Sequence, residues 1–415
     1  MTAADRVAAV LRRTPLIDGH NDLVSGLRLF HGYDVGTIAA TVADLQTDIP
    51  RLRAGMVGAQ FWSAWVPTSL APGDAVVATL EQIDAIHRLT ERHPDTFGFA
   101  RTADDVLRVF RSGRIASLIG VEGGHAIAGS LGVLRMYARL GVRYLTLAHG
   151  EHTGWADSAT DDRPGVGGLD DTGRAVVAEL NRLGIVADLS HTALGTQRDA
   201  LAVTRAPVLY THSGAAAVTD HPRNVPDDLL RAVASNGGVV QVPFVPEFVS
   251  ADVYDWQRRS RDEAARLGLT GGDFWKPAPR PGQDTAAHLA ELARRRTEPG
   301  AEAVAAAAAH DRWKAAHPRP AATREQVLDH LDHVRAVAGI EHVGIGADFD
   351  GMFVTPDGLP DVAAYPLLFA DLADRGWSDA DLHALAGQNV LRVLRDAERA
   401  ATPDPSHPDE ETTTP

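Results

Sequence analysis

One alternation runs the length of this chain: a short apolar run followed by a stretch of helical period, eight times over. The runs fall at 16–20 (LIDGH), 57–64 (VGAQFWSA), 115–121 (IASLIGV) and 142–148 (VRYLTLA). They continue at 185–190 (IVADLS), 206–211 (APVLYT), 238–243 (GVVQVP) and 342–347 (HVGIGA). Between them, segments such as DAVVATLEQIDAIHRLTERHP, TGRAVVAELNRLG and REQVLDHLDHVRAVAG place apolar residues three and four apart, as on a helix with one buried face. Eight strand-then-helix units predict an α/β fold, a single closed (β/α)8 TIM barrel over residues 1–400. The runner-up, an open doubly wound sheet, calls for a GxGxxG loop after an early strand, and EGGH at 122–125 lacks that spacing.

Two stretches break the rhythm. Residues 250–322 carry many charges, several prolines and Ala-rich helical sequence, and read as a helical insertion between the seventh strand and its returning helix. A lid, an oligomer contact and a plain surface excursion are all open for it. Residues 401–415 are polar and proline-rich and read as a disordered tail.

Composition removes several classes of function. With 55 acidic against 40 basic residues, a net charge of −15 gives no surplus to neutralise phosphates, so a nucleic-acid partner is not expected. There is no cysteine, which excludes disulfides, thiolate metal sites and a cysteine nucleophile. Any metal must be held by His, Asp and Glu, a donor set suited to zinc, manganese or cobalt. No stretch is apolar enough for a signal peptide or a membrane span, so the expectation is a cytoplasmic chain with no membrane partner.

Active sites of such barrels lie at the C-terminal strand ends. There the first run gives His20 and Asp22, the third Glu122, the fourth His149, the fifth His191, the sixth His212 and the eighth Asp348. Residues two apart on an extended strand share a side, so His20 and Asp22 can face one ion. A carboxylate after an apolar run, as at Glu122, needs a cation or a hydrogen-bonded cradle such as the amides of Gly123 and Gly124. DLSH and YTHS repeat one arrangement, a strand, a hydroxyl residue and an imidazole. Five ligands over two ions leave positions for a bridging hydroxide that attacks a carbonyl. Asp348, with Asp350 competing, is the candidate proton shuttle. His149 is the candidate oxyanion donor, and Arg223 the candidate fork for a substrate carboxylate. His152 stands open between a substrate contact and a rim residue. His125 is either support for Glu122 or a loop histidine. Trp62 and Trp65 read as packing, with Trp62 the one that could face the pocket.

Together these residues resemble the membrane dipeptidase (renal dipeptidase) family of metallopeptidases. The likeness runs from DGHND at 18–22 to GQNVLRVL at 387–394. It passes through VGAQFWSAWVP, VEGGH, YLTLAH, WADSA, ELNRLGIVADLSH, HPRNVPDDLL, HLDHVRAVAG, GIGADFDG and TPDGLPDVAAYP. The resemblance implies dipeptide hydrolysis at a two-zinc site. It implies His20 and Asp22 on one ion, His191 and His212 on the other and Glu122 bridging. It also implies His149 and Arg223 on substrate and Asp348 as shuttle. A homodimer and tolerance of a C-terminal D-residue are implied too. The chain departs from the family in reading GEHTGWAD after His149, where an asparagine-rich HNxNxxWAD is expected. That departure keeps a second reading alive, hydrolysis of another amide such as a biosynthetic intermediate, a conjugate or a β-lactam. A catalytically silent binding scaffold is the third reading, and the full ligand set argues against it.

Overall fold

The computed structural model describes residues 2–269 and 301–402. The strands are β1 (Leu16–Asn21), β2 (Val57–Trp65), β3 (Phe97–Phe99), β4 (Ile115–Glu122), β5 (Val142–Thr146), β6 (Val186–Asp188), β7 (Leu209–Tyr210), β8 (Val239–Val242) and β9 (Val343–Ile345). Eight of them close a parallel ring in the order β1-β2-β4-β5-β6-β7-β8-β9, with β9 returning to β1. This is the TIM barrel that the alternation predicts. The extra strand, β3, pairs with the opening residues of β4 (Phe97 with Ile115, Phe99 with Ser117) and lies outside the ring. At three residues (FGF) it is too short to stand out as an apolar run.

Every residue of β1 and β4 is buried. One face of each strand fills the barrel and the other meets the helical shell, which is why the runs are almost continuously apolar. The shell helices carry ordinary start and stop signals. Pro72–Arg92 opens on proline, and Asp171–Leu183 is capped by Asp170 and ends at a left-handed Gly184. Arg324–Ala338 starts with a Thr323/Gln326 capping box.

The ring closes on itself where the first strand meets the last. Asp18 pairs with Ile345, the Asp348 amide donates to the His20 carbonyl (3.1 Å), and Asn21 bridges to Phe349. Of the inserted segment, two helices are described, Ala251–Arg266 and Ala301–Ala316. They are fastened together by Trp256 Nε1 donating to the His317 carbonyl (2.6 Å), with Trp313 packed against Trp256 at 6.1 Å. Residues 270–300 of the predicted insertion and 403–415 of the predicted tail lie outside the described residues. Among the described residues, no helix is long and apolar enough to cross a membrane.

Candidate active site

At the C-terminal mouth, Glu122 sits at the centre of the titratable side chains. Its Oε2 lies 3.4 Å from His20 Nε2, while its Oε1 lies 3.0 Å from His191 Nε2, 3.3 Å from His212 Nε2 and 3.5 Å from His149 Nε2. Asp22 Oδ2 is 3.4 Å and Asp348 Oδ1 3.9 Å from the same His20 nitrogen. Three groups of potential ligand atoms converge here, each within 4.8 Å: His20–Glu122–His212, Glu122–His149–His191 and His20–Asp22–Asp348. All the residues expected at the metal centre are therefore brought together. Asp22 arrives differently from expectation, since it begins the helix Leu23–His31 after β1 has ended.

Beneath this ring lies a layer that orients it. Asp188, at the end of β6, accepts from the hydroxyls of Thr146 (2.5 Å) and Thr211 (2.8 Å) and from the amides of Ser190 and Thr211. Thr211 uses its only hydroxyl hydrogen in donating to Asp188, so it accepts from His212 Nδ1 at 2.9 Å. His212 must then carry its hydrogen on Nδ1 and present a lone pair on Nε2. That nitrogen is 2.9 Å from His191 Nε2, so a proton or a cation must lie between them. On the other side, His20 Nδ1 meets the Tyr144 hydroxyl at 2.9 Å, while its buried Nε2 has no hydrogen-bond partner among the described residues. Tyr144 reaches across only because residue 120 is glycine, where a Cβ would sit 1.9 Å from the tyrosine ring. A buried orphan nitrogen, an opposed lone pair and a carboxylate shared among four imidazoles fit a divalent cation centre.

Electrostatics follow the same logic. Burial, reinforced by Arg223 and neighbouring imidazoles, holds His191 well below the usual histidine range. Burial, reinforced by His20 and Arg223, does the same to His212. Both are neutral, the form that binds metal. Burial also lowers His149. Glu122 stays ionised despite its burial because His20, His149 and His191 surround it. Asp348 moves the other way, lifted well above the usual carboxylate range by burial and by the Asp22 and Glu122 carboxylates. His191 and Asp348 both adopt left-handed backbone (φ 67° each), a strained conformation for non-glycine residues that aims their side chains inward. Asp350 is also left-handed, but its Oδ1 accepts from the Gln46 amide at 2.7 Å, which ties it to a loop outside the cluster.

Other candidates are placed less simply. Arg223 is buried against the cluster, donating to the His212 carbonyl (3.0 Å) and Ser213 Oγ (3.1 Å), with its guanidinium 5.0 Å from the Phe248 ring. Among the described residues its Nε has no hydrogen-bond partner. His152 is not brought to the centre. Its Nδ1 accepts from the Ser158 amide and its Nε2 faces the Arg163 carbonyl, so both nitrogens are used within its own loop. His125 bonds the Val66 carbonyl through Nε2 and is lowered to about 4 by burial and by His149. Of the two tryptophans, Trp65 reaches the site, 5.5 Å from His149, while Trp62 is fully buried against Phe97. A cavity of about 480 Å³ opens above Asp22, Glu122, His149, His191 and Asp348.

A sequence profile of the membrane dipeptidase family (peptidase family M19) matches residues 4–407. The chain belongs to that family. Dipeptidase verJ of Clonostachys rogersoniana is 39% identical over 403 residues, covering 94% of this chain and 86% of that one. The fold matches the probable dipeptidase PvdM from Pseudomonas aeruginosa with a TM-score of 0.78 at 23% identity, over 96% and 99% of the two chains. It also matches a Rhodobacter sphaeroides metallopeptidase liganded with a phosphinate mimic of L-Ala-D-Ala, with a TM-score of 0.71 at 23% identity, over 92% and 99%. Membership makes the chain a metal-dependent dipeptidase.

Sequence reasoning did not find Tyr144 or the role of Asp188. An aspartate inside the strand run IVADLS was a readable signal, because a buried carboxylate demands partners. Nothing local marks Tyr144, whose contact lies 124 residues away.

Proposed function

We propose that this dipeptidase works with two zinc ions, one held by His20 and Asp22, the other by His191 and His212, with Glu122 between them. The division of Glu122 carries the reading: one oxygen addresses His20 and the other addresses His191 and His212. When bound, the ions supply Lewis acidity to the scissile carbonyl and lower the pKa of the attacking water.

The chain's own groups carry the remaining steps. Arg223 takes the substrate's terminal carboxylate, using the donor at Nε that the fold leaves unpaired. As water adds to the carbonyl carbon, Asp348 accepts its proton. His149 donates to the oxygen on which charge develops. Asp348 then returns the proton to the amide nitrogen, the C–N bond breaks, and an amino acid leaves as its free amine. Cations near Asp348 would lower its raised pKa and favour the carboxylate form that accepts a proton. The ligand of the Rhodobacter sphaeroides relative supports extending tolerance of a C-terminal D-residue to this chain. A homodimeric and cytoplasmic state belongs to the same proposal, to be checked by light scattering and cell fractionation.

The test joins metal analysis to hydrolysis of L,L- and L,D-dipeptides, before and after chelation. The expected result is about two zinc ions per chain and cleavage that is lost with them. One ion per chain in the wild type, or Glu122→Gln retaining full metal and full activity, would overturn the shared-carboxylate assignment.

A further inference from the structure

The cavity above the cluster is larger and more apolar than two metals and a peptide bond require. Its volume of about 480 Å³ falls in the range that holds drug-sized ligands, roughly 300–1,000 Å³. Away from the titratable floor, its wall is built by Leu29, Phe248, Trp256, Met352, Phe353 and Val354. These come from three places: the helix after β1, the loop after β8 with the inserted segment, and the loop after β9. Val354 is 52% exposed, an apolar side chain left accessible at the cavity mouth.

Trp256 decides what the insertion contributes. It belongs to the outgoing helix, and its indole nitrogen is tied to the His317 carbonyl on the returning arm (2.6 Å). Trp313, also on the returning arm, packs against it. Both described arms also reach the cavity directly, through Gln257 on one and Arg319 on the other. Gln257 donates to Glu247 Oε1 at 2.9 Å, and Arg319 pairs with the other oxygen of Glu247 at 3.8 Å. The clasped arms thus hold an aromatic face over the cavity, and the charges beside it are matched to each other.

We infer that the two described arms of the inserted segment form a specificity element, completing an apolar subsite that selects dipeptides with one large aromatic or branched aliphatic side chain. This rests on the dipeptidase reading and narrows it. A hydrophobic pocket discriminates by about 10- to 200-fold per missing apolar group, so selectivity of that order is expected.

The experiment measures kcat/KM for zinc-loaded protein on two series, X-Ala and Ala-X, with X as Gly, Ala, Leu, Phe, Asp and Lys. Phe and Leu should exceed Gly, Asp and Lys by tenfold or more in one series, and that series identifies which residue the subsite receives. Trp256→Ala and Met352→Ala should each reduce the Phe-to-Gly ratio. Trp256→Phe, which keeps a ring but loses the bond to His317, should retain most of it; if it falls as far as Trp256→Ala, the clasp and not the aromatic face is the determinant. Cleavage that proceeds equally for Gly, Asp, Lys and Phe in both series would overturn the subsite. Cleavage of no member would overturn the dipeptidase reading instead.

Discussion

Asp18 and Asp348 both address His20, one fully buried below it and one partly exposed at the rim. Asp18 accepts from the His20 amide (3.1 Å), the Ala347 amide (3.0 Å) and the Tyr365 hydroxyl (2.5 Å), so its two oxygens are committed to holding strands in place. Asp348 faces the His20 ring and the Asp22 and Glu122 carboxylates, and its backbone is strained to keep it there. The same division separates the two layers of the site. Below, Asp18, Asp188 and Thr211 form a saturated polar cradle. Above, His20, Glu122, His191, His212 and Asp348 are aimed at one another. Identical chemical groups serve as scaffold where their hydrogen bonds are complete and as reactive groups where they are not.

The sharpest way to break this division is to remove one acid from each layer. Asp348→Asn should lower kcat by about 10²- to 10⁴-fold while thermal stability is retained, because a proton acceptor is lost but no strand contact is. If kcat survives, the shuttle is elsewhere, and Asp350 is the first alternative. Asp188→Ala should do the reverse, destabilising the fold by about 3 kcal/mol in urea unfolding, since several buried donors lose their acceptor. Loss of activity without loss of stability in that variant would move Asp188 into the reactive layer. Tyr144→Phe removes one hydrogen bond behind His20 and should weaken zinc affinity by about tenfold, read by competition with a chelator. An unchanged affinity would mean that the Tyr144 contact does not orient the ring.

A last prediction concerns a histidine of the scaffold kind. His330 accepts from the Ala215 amide at 2.9 Å, and burial lowers its pKa from the usual 6.5 to about 4. As pH falls below 6.5 the unfolded chain takes up a proton that the folded chain refuses. Stability from this group is therefore complete above pH 6.5 and is lost progressively toward pH 4, by up to about 3 kcal/mol. Melting temperatures across that window should fall more steeply for the wild type than for His330→Gln. Parallel slopes would show that His330 is not held neutral.

The sequence carried the barrel and the upper layer because both are written locally. Apolar runs at regular intervals mark strands, and an imidazole or carboxylate just past a strand end stands out, as at His191, His212 and Glu122. The lower layer depends on partners distant in the chain, such as Tyr144 to His20 and Tyr365 to Asp18, 124 and 347 residues apart. No periodicity encodes those contacts. His152, open in the sequence between a substrate contact and a rim residue, lies in a tight loop with its ring toward Arg163 and Ser158. The cavity wall was hidden because Leu29, Trp256 and Met352 look like ordinary apolar residues until three separate segments bring them to one mouth.

The seam at which β1 meets β9 has a consequence for timing. His20 and Asp22 are synthesised well before Asp348, which follows β9, so the reactive layer stays without its proton shuttle until that strand has been made. Synthesis at about 5–20 residues per second leaves the early ligands waiting on the order of half a minute for their partners. A chain that ends before β9 lacks the Asp348 carboxylate, so proton transfer at the centre is expected only once the final strand has docked against β1 and closed the ring.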